Sequence, residues 1–264
     1  MDLPLVYHIN EEETCDIHQC FKWSLNDDIP LKEERNRTFC PECQREKMEK
    51  EEKQKIGQAE VATTLRTTYD VLDKNSIIPS GLKKANFKNF TVSNEIDQQA
   101  RNYALRLVSH YLHDGKGNAL IMGKAGRGKS HLAMAVASKL NADWKANSLP
   151  KSILFINLPA LFIKIQNSFN RKEGMTSNEW LELLKKVDYL VLDDLGRSDN
   201  AQWKQDFLYS LLDEREATII TTNLVGSEMK SLFETGLVSR ITKGGRDLYF
   251  KYPDSAEDRR KLPF

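Results

Sequence analysis

The stretch Gly123-Lys124-Ala125-Gly126-Arg127-Gly128-Lys129-Ser130 decides the fold of this chain. It matches the phosphate-loop pattern G-x-x-x-x-G-K-[S/T] at every fixed position. The apolar run at 119–122 before it predicts a buried strand, and the alanine-rich run at 131–137 after it predicts a helix. Because glycine has no Cβ, the backbone N–H groups of such a loop can surround a phosphate chain at the helix N-terminus. The stretch therefore predicts a nucleotide site between a strand and a helix.

The last two residues of this loop have distinct expected roles. We expect Lys129 to contact the β- and γ-phosphates of ATP, and Ser130 to bind Mg²⁺ through its hydroxyl oxygen. The other residues of 123–130, together with His131, are expected to line the nucleotide site. A glycine-rich turn without a ligand is the alternative interpretation, and the flanking strand and helix argue against it.

The composition limits the class of protein. The chain has 264 residues, enough for one domain of ordinary size and a smaller one. Its net charge is +1, so a surface for nucleic acid must be a local patch. No apolar run approaches the roughly 20 residues of a membrane span, and residues 1–4 begin no export signal. We therefore expect a cytoplasmic protein with no membrane partner.

The cysteines all lie in the first 43 residues, which indicates one small module and not a disulfide framework for the whole chain. Cys15 with His18, and Cys40 with Cys43, each place two soft ligands three positions apart, a spacing that suits one tetrahedral Zn²⁺. We favour these four ligands because both pairs then share one spacing. Cys20 is the alternative to His18, and reduced cysteines without metal are the alternative to a zinc site. A site closed by four protein ligands is structural.

The composition changes along the chain and predicts three segments. Residues 1–45 form the zinc-binding segment, and 46–85 form a charged linker in which acids and bases recur at helical spacing. Residues 86–264 alternate strands with helices, which predicts an α/β fold with a parallel sheet and helices on both faces. The expected strands are 119–122, 152–157, 189–194, 218–223 and 248–252. The expected helices are 93–114, from 131 onward, 159–169, 178–186 and 201–212.

Polar side chains end two of these predicted strands. Asp193 and Asp194 end the strand at 189–194, some sixty residues after the phosphate loop. We expect Asp193 to hold the Mg²⁺ shell and Asp194 to orient or deprotonate the attacking water. Turnover is expected to be slow because aspartate has a shorter side chain than the more usual glutamate. Capping of the following turn is the alternative role for both acids.

Two further candidates follow along the chain. Asn223 ends the strand at 218–223, where its amide can position the attacking water or touch the γ-phosphate. Arg240 lies beyond this strand, and arginine neutralises the charge that develops on a transferred phosphoryl group. Considered without its sequence context, Arg240 is more typical of a surface arginine than of a catalytic one. It becomes a candidate only because it follows the other elements in order.

With the phosphate loop, the two acids, the asparagine and the arginine in this order, the segment from about 87 to 260 resembles the AAA+ P-loop ATPase of the DnaC/DnaI helicase loaders of bacteria and phages. It also resembles the related transposition helper IstB. The motifs that carry the resemblance are Phe87-x-Asn89-Phe90, residues 123–133, Tyr189–Gly196, residues 220–224 and Ser239-Arg240-Ile241. The cysteine module resembles the zinc-binding N-terminal domain of the DnaI branch.

The resemblance implies an ATP-dependent loader of a replicative DNA helicase onto single-stranded DNA, with ATP, Mg²⁺ and Zn²⁺ as cofactors. It further implies that the zinc-binding domain binds the helicase and that the ATPase domain binds single-stranded DNA and self-associates. Arg240 is then expected to act on the nucleotide of a neighbouring copy. The alternatives are an IstB-like transposition helper and a protein-binding regulator of the host loader or helicase. No helical lid follows 258–260, so a sensing role is not expected for Arg260.

The segment 157–178 is the expected DNA-binding insertion. Its charged residues are Lys164, Arg171, Lys172 and Glu173. Contacts between the basic residues and DNA phosphates make the affinity for DNA fall as the salt concentration rises. An exposed aromatic side chain can stack on the nucleobases without sequence preference. Phe169 is the aromatic candidate. For Phe162 the alternative is a core position, because its spacing with neighbouring apolar residues is helical.

Overall fold

The computed structural model describes residues 7–25, 38–171, 175–196, 201–244 and 246–259, with the side chains in these ranges except 51–67, 170–171 and 246. The chain divides into two compact units, Met1–Thr63 and Thr64–Phe264. In the part of the chain that is described, no helix combines the length and the apolar character needed to cross a membrane.

The first unit contains a small antiparallel sheet that the sequence did not predict. Its strands are β1 (Tyr7–Thr14), β2 (Phe21–Leu25) and β3 (Thr38–Phe39), in that order across the sheet. The ring of Phe39 meets those of Tyr7 and Trp23 edge-on, at 5.2 and 6.3 Å between centroids. These rings form a very small apolar cluster, so a segment of this size depends on an additional constraint for stability.

Helix α1 runs from Pro41 to Asn75 and includes the charged segment that the sequence predicts as a solvated helix or linker. Proline is favoured at the first helical position because its missing N–H needs no partner there. Exposed ion pairs at i,i+3 and i,i+4 join Arg45 to Glu42 and Glu49, at 2.5 and 3.8 Å.

The end of α1 packs into the second unit, which therefore begins before the expected boundary at residue 86. Tyr69 and Leu72 are buried, and the Tyr69 hydroxyl donates a hydrogen bond to the carbonyl oxygen of Leu149 at 2.9 Å. Ile77 forms a parallel bridge with Ile156 of the central sheet. The sequence does carry a signal for this, because Leu65, Tyr69 and Leu72 recur at steps of four and three, but the prediction placed them in the linker.

A parallel sheet of five strands, in the order β5-β6-β7-β4-β8, forms the centre of the second unit. Its strands are β4 (Gly117–Met122), β5 (Ile153–Asn157), β6 (Tyr189–Leu195), β7 (Ala217–Thr222) and β8 (Tyr249–Lys251). The helices are α2 (Glu95–Leu112), α3 (Lys129–Ala146), α4 (Leu158–Arg171), α5 (Ser177–Lys186), α6 (Gln202–Glu214), α7 (Gly226–Leu232) and α8 (Thr235–Ile241). The predicted strands and helices are confirmed to within a few residues.

The two faces of the sheet carry separate apolar cores. Alternate residues of each strand point to opposite faces: in β4, Ile121 packs with residues of α2 and α3, whereas Leu120 packs with residues of α4, α5, α6 and α8. In β5, Phe155 and Leu154 divide in the same way. The sheet is thus covered on both faces, which confirms the predicted α/β class.

Arg215 fastens the N-terminal edge of this sheet. Its side chain is buried, and its two Nη atoms donate to the carbonyl oxygens of Leu184, Val187, Asp188 and Ala217 at 2.8 to 3.1 Å. Burial lowers the pKa of Arg215 to about 10, so the group is still a cation at neutral pH. Ionised donors form the stronger class of hydrogen bond, and these hold α5, β6 and β7 together at one end.

Candidate functional site

The phosphate loop leaves β4 at the C-terminal edge of the sheet and ends in α3 (Lys129–Ala146). Gly126 and Gly128 have φ angles of 76° and 88°, which side chains with a Cβ rarely adopt. A Cβ at Gly123 would lie 2.7 Å from the Cβ of Tyr252, too close for any other residue. The loop conformation therefore requires the glycines of the motif.

Lys129 points into the loop. Its side chain is buried, and Nζ donates to the carbonyl oxygen of Lys124 at 2.9 Å and to Oδ1 of Asn223 at 2.6 Å. Asn223 follows β7, so these contacts join two neighbouring strand ends. The ammonium group is thereby held inside the curve of the loop, where the phosphates of a nucleotide are expected to lie.

Asp193 is almost fully buried at the end of β6, with 2% of its surface exposed. The Thr221 hydroxyl donates to Oδ1 at 2.7 Å, and the Asn157 amide donates to Oδ2 at 3.3 Å. Burial raises the pKa of Asp193, and hydrogen bonds from Ser130, Thr221 and Asn157 oppose the rise. Ser130 and Asp193 thus place two oxygen ligands together, the donor type that suits Mg²⁺.

Asp194 turns out of the strand ladder next to this pair. Its φ angle of 65° is left-handed, and the register of β6 against β7 shifts between Leu192 and Leu195. The Asp194 N–H donates to the Thr221 hydroxyl at 2.9 Å, and the Asn223 amide donates to Asp194 Oδ1 at 3.2 Å. Asparagine and aspartate tolerate this backbone region better than most residues. The carboxylate therefore faces the loop instead of the core.

Asn223 connects the two halves of the site. Its amide oxygen accepts a hydrogen bond from Lys129, and its amide nitrogen donates one to Asp194, so the same side chain is both acceptor and donor. Lys129, Asn223 and Asp194 form one hydrogen-bonded chain across β4, β7 and β6. The structure thus brings together four of the five residues predicted to be catalytic: Lys129, Asp193, Asp194 and Asn223.

A cavity of about 430 Å³ lies beside the loop. It is lined by Leu82, Asn89, Phe90, Thr91, residues 126–131 and Arg259. His131 contacts the carbonyl oxygen of Asn86 at 3.1 Å and the ring of Phe90 edge-on, and burial lowers its pKa. An apolar ring beside cationic and backbone donors suits a nucleotide base next to its phosphates.

Arg259 is a site residue that the sequence patterns did not single out. Its backbone N–H donates to the carbonyl oxygen of Gly126 at 2.8 Å, and its guanidinium lies 4.1 Å from the Phe90 ring centroid. Its Nη1 also pairs with Asp97 at 2.7 Å. The run Asp258-Arg259-Arg260 was the available signal, but it does not say which arginine faces the loop. Arg260 lies outside the described residues.

Arg240, the fifth predicted residue, lies away from the others in the same chain. Its carbonyl oxygen accepts a hydrogen bond from the Asn118 amide at 2.7 Å, at the N-terminal end of β4. The phosphate loop leaves the other end of this strand, roughly 16 Å away at about 3.3 Å per residue. Arg240 therefore does not share a sheet edge with the phosphate loop of its own chain.

The first unit contains a cluster of metal-ligating atoms. The ligand atoms of Cys15, His18, Cys40 and Cys43 all lie within 4.8 Å of one another. Cys43 Sγ is 3.7 Å from Cys15 Sγ and 3.3 Å from His18 Nδ1. Tetrahedral coordination with Zn–S bonds of about 2.3 Å separates neighbouring sulfurs by about 3.8 Å. The four residues thus fit one Zn²⁺, in the combination that the sequence favours.

Contacts around the cluster support its ligands. Glu46 accepts from His18 Nε2 at 3.1 Å, which leaves Nδ1 to face the three sulfurs. Hydrogen bonds from the His18 backbone and ring lower the pKa of Cys15 to about 6 and favour the thiolate, the form that binds metal. Cys20 Sγ lies 3.5 Å from Cys40 Sγ but outside the group of four. Glu46 was not recognised from sequence because it belongs to a run of surface charges.

Comparison with known proteins gives a consistent result. The family model described as IstB-like ATP binding protein matches residues 53–241. The uncharacterized protein YdaV of Escherichia coli K12 is 28% identical over 187 residues, which cover 69% of this chain and 71% of YdaV. The replicative helicase loader DnaC of the same strain is 26% identical over 167 residues, or 61% of this chain and 64% of DnaC.

The structure also resembles a crystal structure of DnaI, with a TM-score of 0.51 and 25% sequence identity. The match covers 70% of this chain and 95% of that one. Domain III of DnaA from Thermotoga maritima has the same fold, with a TM-score of 0.51. The fold is therefore that of AAA+ ATPases, and the chain spans a little under two thirds of the helicase loader DnaC.

Substitutions of Lys129 and Asp194 should separate ATP binding from turnover. We expect Lys129→Ala to weaken ATP binding by about tenfold or more, because the substitution removes one ionised donor to the phosphates. Asp194→Asn should bind ATP normally and hydrolyse it about 10² to 10⁴ times more slowly, since it lacks a base. Lys139→Ala, on the exposed face of α3, is the matched control. Equal ATP affinity in wild type and Lys129→Ala, measured by calorimetry, contradicts the assignment.

Zinc content should depend on three cysteines and one histidine. We expect about one zinc per chain, lost in Cys43→Ser and retained in Cys20→Ser, because Cys20 lies outside the group of four. Chelation should also unfold the first unit, since its apolar cluster is small. Elemental analysis of the full chain measures the first effect and near-ultraviolet circular dichroism the second. Full occupancy in Cys43→Ser would refute the site.

Proposed function

Because the chain belongs to the family of IstB-like ATP binding proteins, we propose that it is an ATPase that loads a replicative DNA helicase onto single-stranded DNA during the initiation of replication. The fold and the family make it an AAA+ ATPase. Its relation to the helicase loaders DnaC and DnaI supports the loading role. We also propose that it acts in the cytoplasm.

The observation that carries this proposal is the hydrogen-bonded chain from Lys129 through Asn223 to Asp194. Lys129 binds the β- and γ-phosphates, so occupancy of the loop changes the contacts of Asn223. Asn223 in turn positions Asp194, which orients the attacking water and accepts its proton. Nucleotide binding at the end of β4 is thereby communicated across β7 to the proposed catalytic acid on β6, as an ATP-controlled loader requires.

Ser130 and Asp193 supply the magnesium site in this proposal. When bound there, Mg²⁺ neutralises charge on the β- and γ-phosphates. Asp193 is held by the Thr221 hydroxyl at 2.7 Å, so its carboxylate is already oriented before the nucleotide arrives. The short side chain of Asp194, held in a left-handed backbone conformation, supports slow hydrolysis. Slow hydrolysis suits a protein that changes state once for each helicase loaded.

Arg240 completes the active site of a neighbouring copy. Its position at the N-terminal end of β4, beside Asn118, favours action in trans over action on its own nucleotide. Copies then associate with the N-terminal sheet edge of one against the nucleotide edge of the next. Such a head-to-tail interface generates a ring if it closes and a helical filament if it does not.

Single-stranded DNA binds at α4 in this proposal. Phe169 and Ile163 are 61% and 58% exposed, and Lys164 is exposed between them. Trp203, at the start of α6, lies 6.3 Å from Phe169 between ring centroids, and Lys204 Nζ lies 5.8 Å from the Trp203 ring. Aromatic rings beside cations suit bases and phosphates without sequence preference. Trp203 and Lys204 come from a helix outside the expected insertion, so sequence alone did not include them.

Three residues that the sequence predicts for this surface do not contribute a described, exposed side chain to it. Phe162 is 1% exposed and packs edge-on against Trp203 and Phe207, so it is a core residue and cannot stack on bases. The side chain of Arg171 and the whole of Lys172 lie outside the described residues. The proposed surface therefore rests on Phe169 and Lys164 from α4 and on Trp203 and Lys204 from α6.

The first unit binds the helicase in this proposal. Ile17, between two zinc ligands, is 77% exposed, and Phe21 and Met48 are 50% and 61% exposed. Large apolar side chains on so small a unit suit a protein partner more than solvent. A transposition helper of the IstB type is the second candidate, supported by the family model itself. A regulator that only binds the host loader or helicase is the third.

DNA binding and helicase loading should fall together when the α4 surface is changed. We expect Lys164→Glu with Phe169→Ala to weaken single-stranded DNA binding and to reduce the salt slope by about 0.7, the value for one phosphate that is no longer neutralised. ATP binding should be unchanged. The same variant should leave less replicative helicase on circular single-stranded DNA. Fluorescence anisotropy and gel filtration of the loaded complex are the measurements.

The matched control is Lys145→Glu, which makes the same charge change on the exposed end of α3. If neither variant changes DNA affinity, α4 is not the DNA surface. If the wild-type chain deposits no helicase but still hydrolyses ATP, the transposition helper replaces the loader as the proposed function.

Hydrolysis should require two copies. The rate per chain should increase with protein concentration, because Arg240 of one copy serves the nucleotide of another. Arg240→Ala and Lys129→Ala should each be inactive, and an equal mixture should regain activity at roughly a quarter of its interfaces, where an intact loop meets an intact arginine. A specific activity independent of concentration, with no gain on mixing, removes the role in trans.

A further inference from the structure

Arg240 is held against α6 (Gln202–Glu214) by two side chains one helical turn apart. Its Nε and Nη2 atoms donate to the same oxygen, Oδ1 of Asp213, at 2.9 and 2.8 Å. Its guanidinium carbon lies 4.3 Å from the ring centroid of Tyr209, within the range of a cation–π contact. Residues four apart share one face of a helix, so Tyr209 and Asp213 contact the arginine together.

Helix α8 (Thr235–Ile241), which carries Arg240, has a glycine where the Tyr209 ring packs against it. Gly236 precedes Arg240 by one turn, and a Cβ at Gly236 would lie only 3.1 Å from Tyr209 Cε2. The tyrosine ring therefore rests directly on the α8 backbone with little space to move. This contact fixes the ring beneath the guanidinium, although 38% of the Tyr209 residue surface is exposed.

The contacts leave one side of the arginine available. Asp213 occupies the edge formed by Nε and Nη2, and Tyr209 covers one face. Among the described residues, no hydrogen-bond acceptor contacts Nη1, and the Arg240 side chain is 30% exposed. A guanidinium has five N–H donors in a fixed plane, so the two bonds to Asp213 leave three for another partner. Binding to a phosphate oxygen through Nη1 does not require the pair with Asp213 to break.

We propose that Tyr209 and Asp213 are positioning residues that hold Arg240 ready for the nucleotide of the neighbouring copy. The inference rests on the proposed action of Arg240 in trans. Arginine has many rotamers, and contacts that restrict them before association remove an ordering cost from the transition state. Among the described residues, neither Tyr209 nor Asp213 forms a hydrogen bond, ion pair or ring contact with a residue of the nucleotide site in its own chain. Their effect on hydrolysis therefore appears only through the neighbour.

Directed mixing tests this assignment. In a mixture of Arg240→Ala and Lys129→Ala chains, the first supplies every working nucleotide site and the second every working arginine. We expect Asp213→Asn, placed in the Lys129→Ala chain, to lower kcat about tenfold with KM unchanged, because the arginine no longer has a charged acceptor to hold it. The same substitution placed in the Arg240→Ala chain should leave the rate unchanged.

Conservative variants and a matched control sharpen the result. Tyr209→Phe keeps the ring and should retain activity in either chain, whereas Tyr209→Ala should behave like Asp213→Asn. Asp206→Asn removes an exposed carboxylate from the same helix without contact to Arg240, and it should have no effect.

Two outcomes overturn the proposal in different ways. In the first, the mixture of Arg240→Ala and Lys129→Ala chains is active, but Asp213→Asn has the same effect on kcat in either chain, or no effect in both. Tyr209 and Asp213 are then structural, and the trans role of Arg240 stands. In the second, this mixture is itself inactive, so the trans role fails and the positioning role fails with it.

Discussion

The hydroxyl group of Thr221 holds Asp193 and Asp194, the two acids of the proposed active site, in place. It donates to Asp193 at 2.7 Å and accepts from the backbone N–H of Asp194 at 2.9 Å. One side chain on β7 thus fixes a buried carboxylate in the core of the site and turns the next residue outward. Without it, the buried carboxylate of Asp193 would keep its bonds from Ser130 and Asn157 but lose one hydrogen bond to a charged group, worth about 1.5 to 3 kcal/mol. The bulge at the end of β6 therefore follows from the pairing of β6 with β7.

The two edges of the parallel sheet have different roles. The C-terminal edge collects the phosphate loop with Lys129 and the strand-end side chains Asp194 and Asn223, because parallel strands all end there. The N-terminal edge carries Arg215, whose two Nη atoms donate all their hydrogen bonds to backbone carbonyl groups of the same chain. Arg240 lies near this second edge, beside Asn118. In the proposed assembly of identical copies, this partly exposed arginine meets the nucleotide site at the opposite edge of the next copy.

The first unit achieves stability by a different route. Three aromatic rings and a short antiparallel sheet bury little apolar surface. A Zn²⁺ held by the four converging ligand atoms would supply the missing constraint, since metal binding contributes directly to folding free energy. Ile17, between two of these ligands, remains exposed and is available to the proposed partner.

The sequence by itself determined the α/β class, the strand and helix positions, the phosphate loop and the spacing of the cysteine and histidine ligands. These are local features, set by periodicity, glycine positions and turn spacing. Only the tertiary structure decided that Thr221, Asn223 and Asp194 share hydrogen bonds, that Phe162 is buried, and that Arg240 rests on Asp213. Each of these depends on the strand order β5-β6-β7-β4-β8 and on how helices pack across it. Contacts between residues about 30 positions apart are set by that packing, which local sequence patterns do not encode.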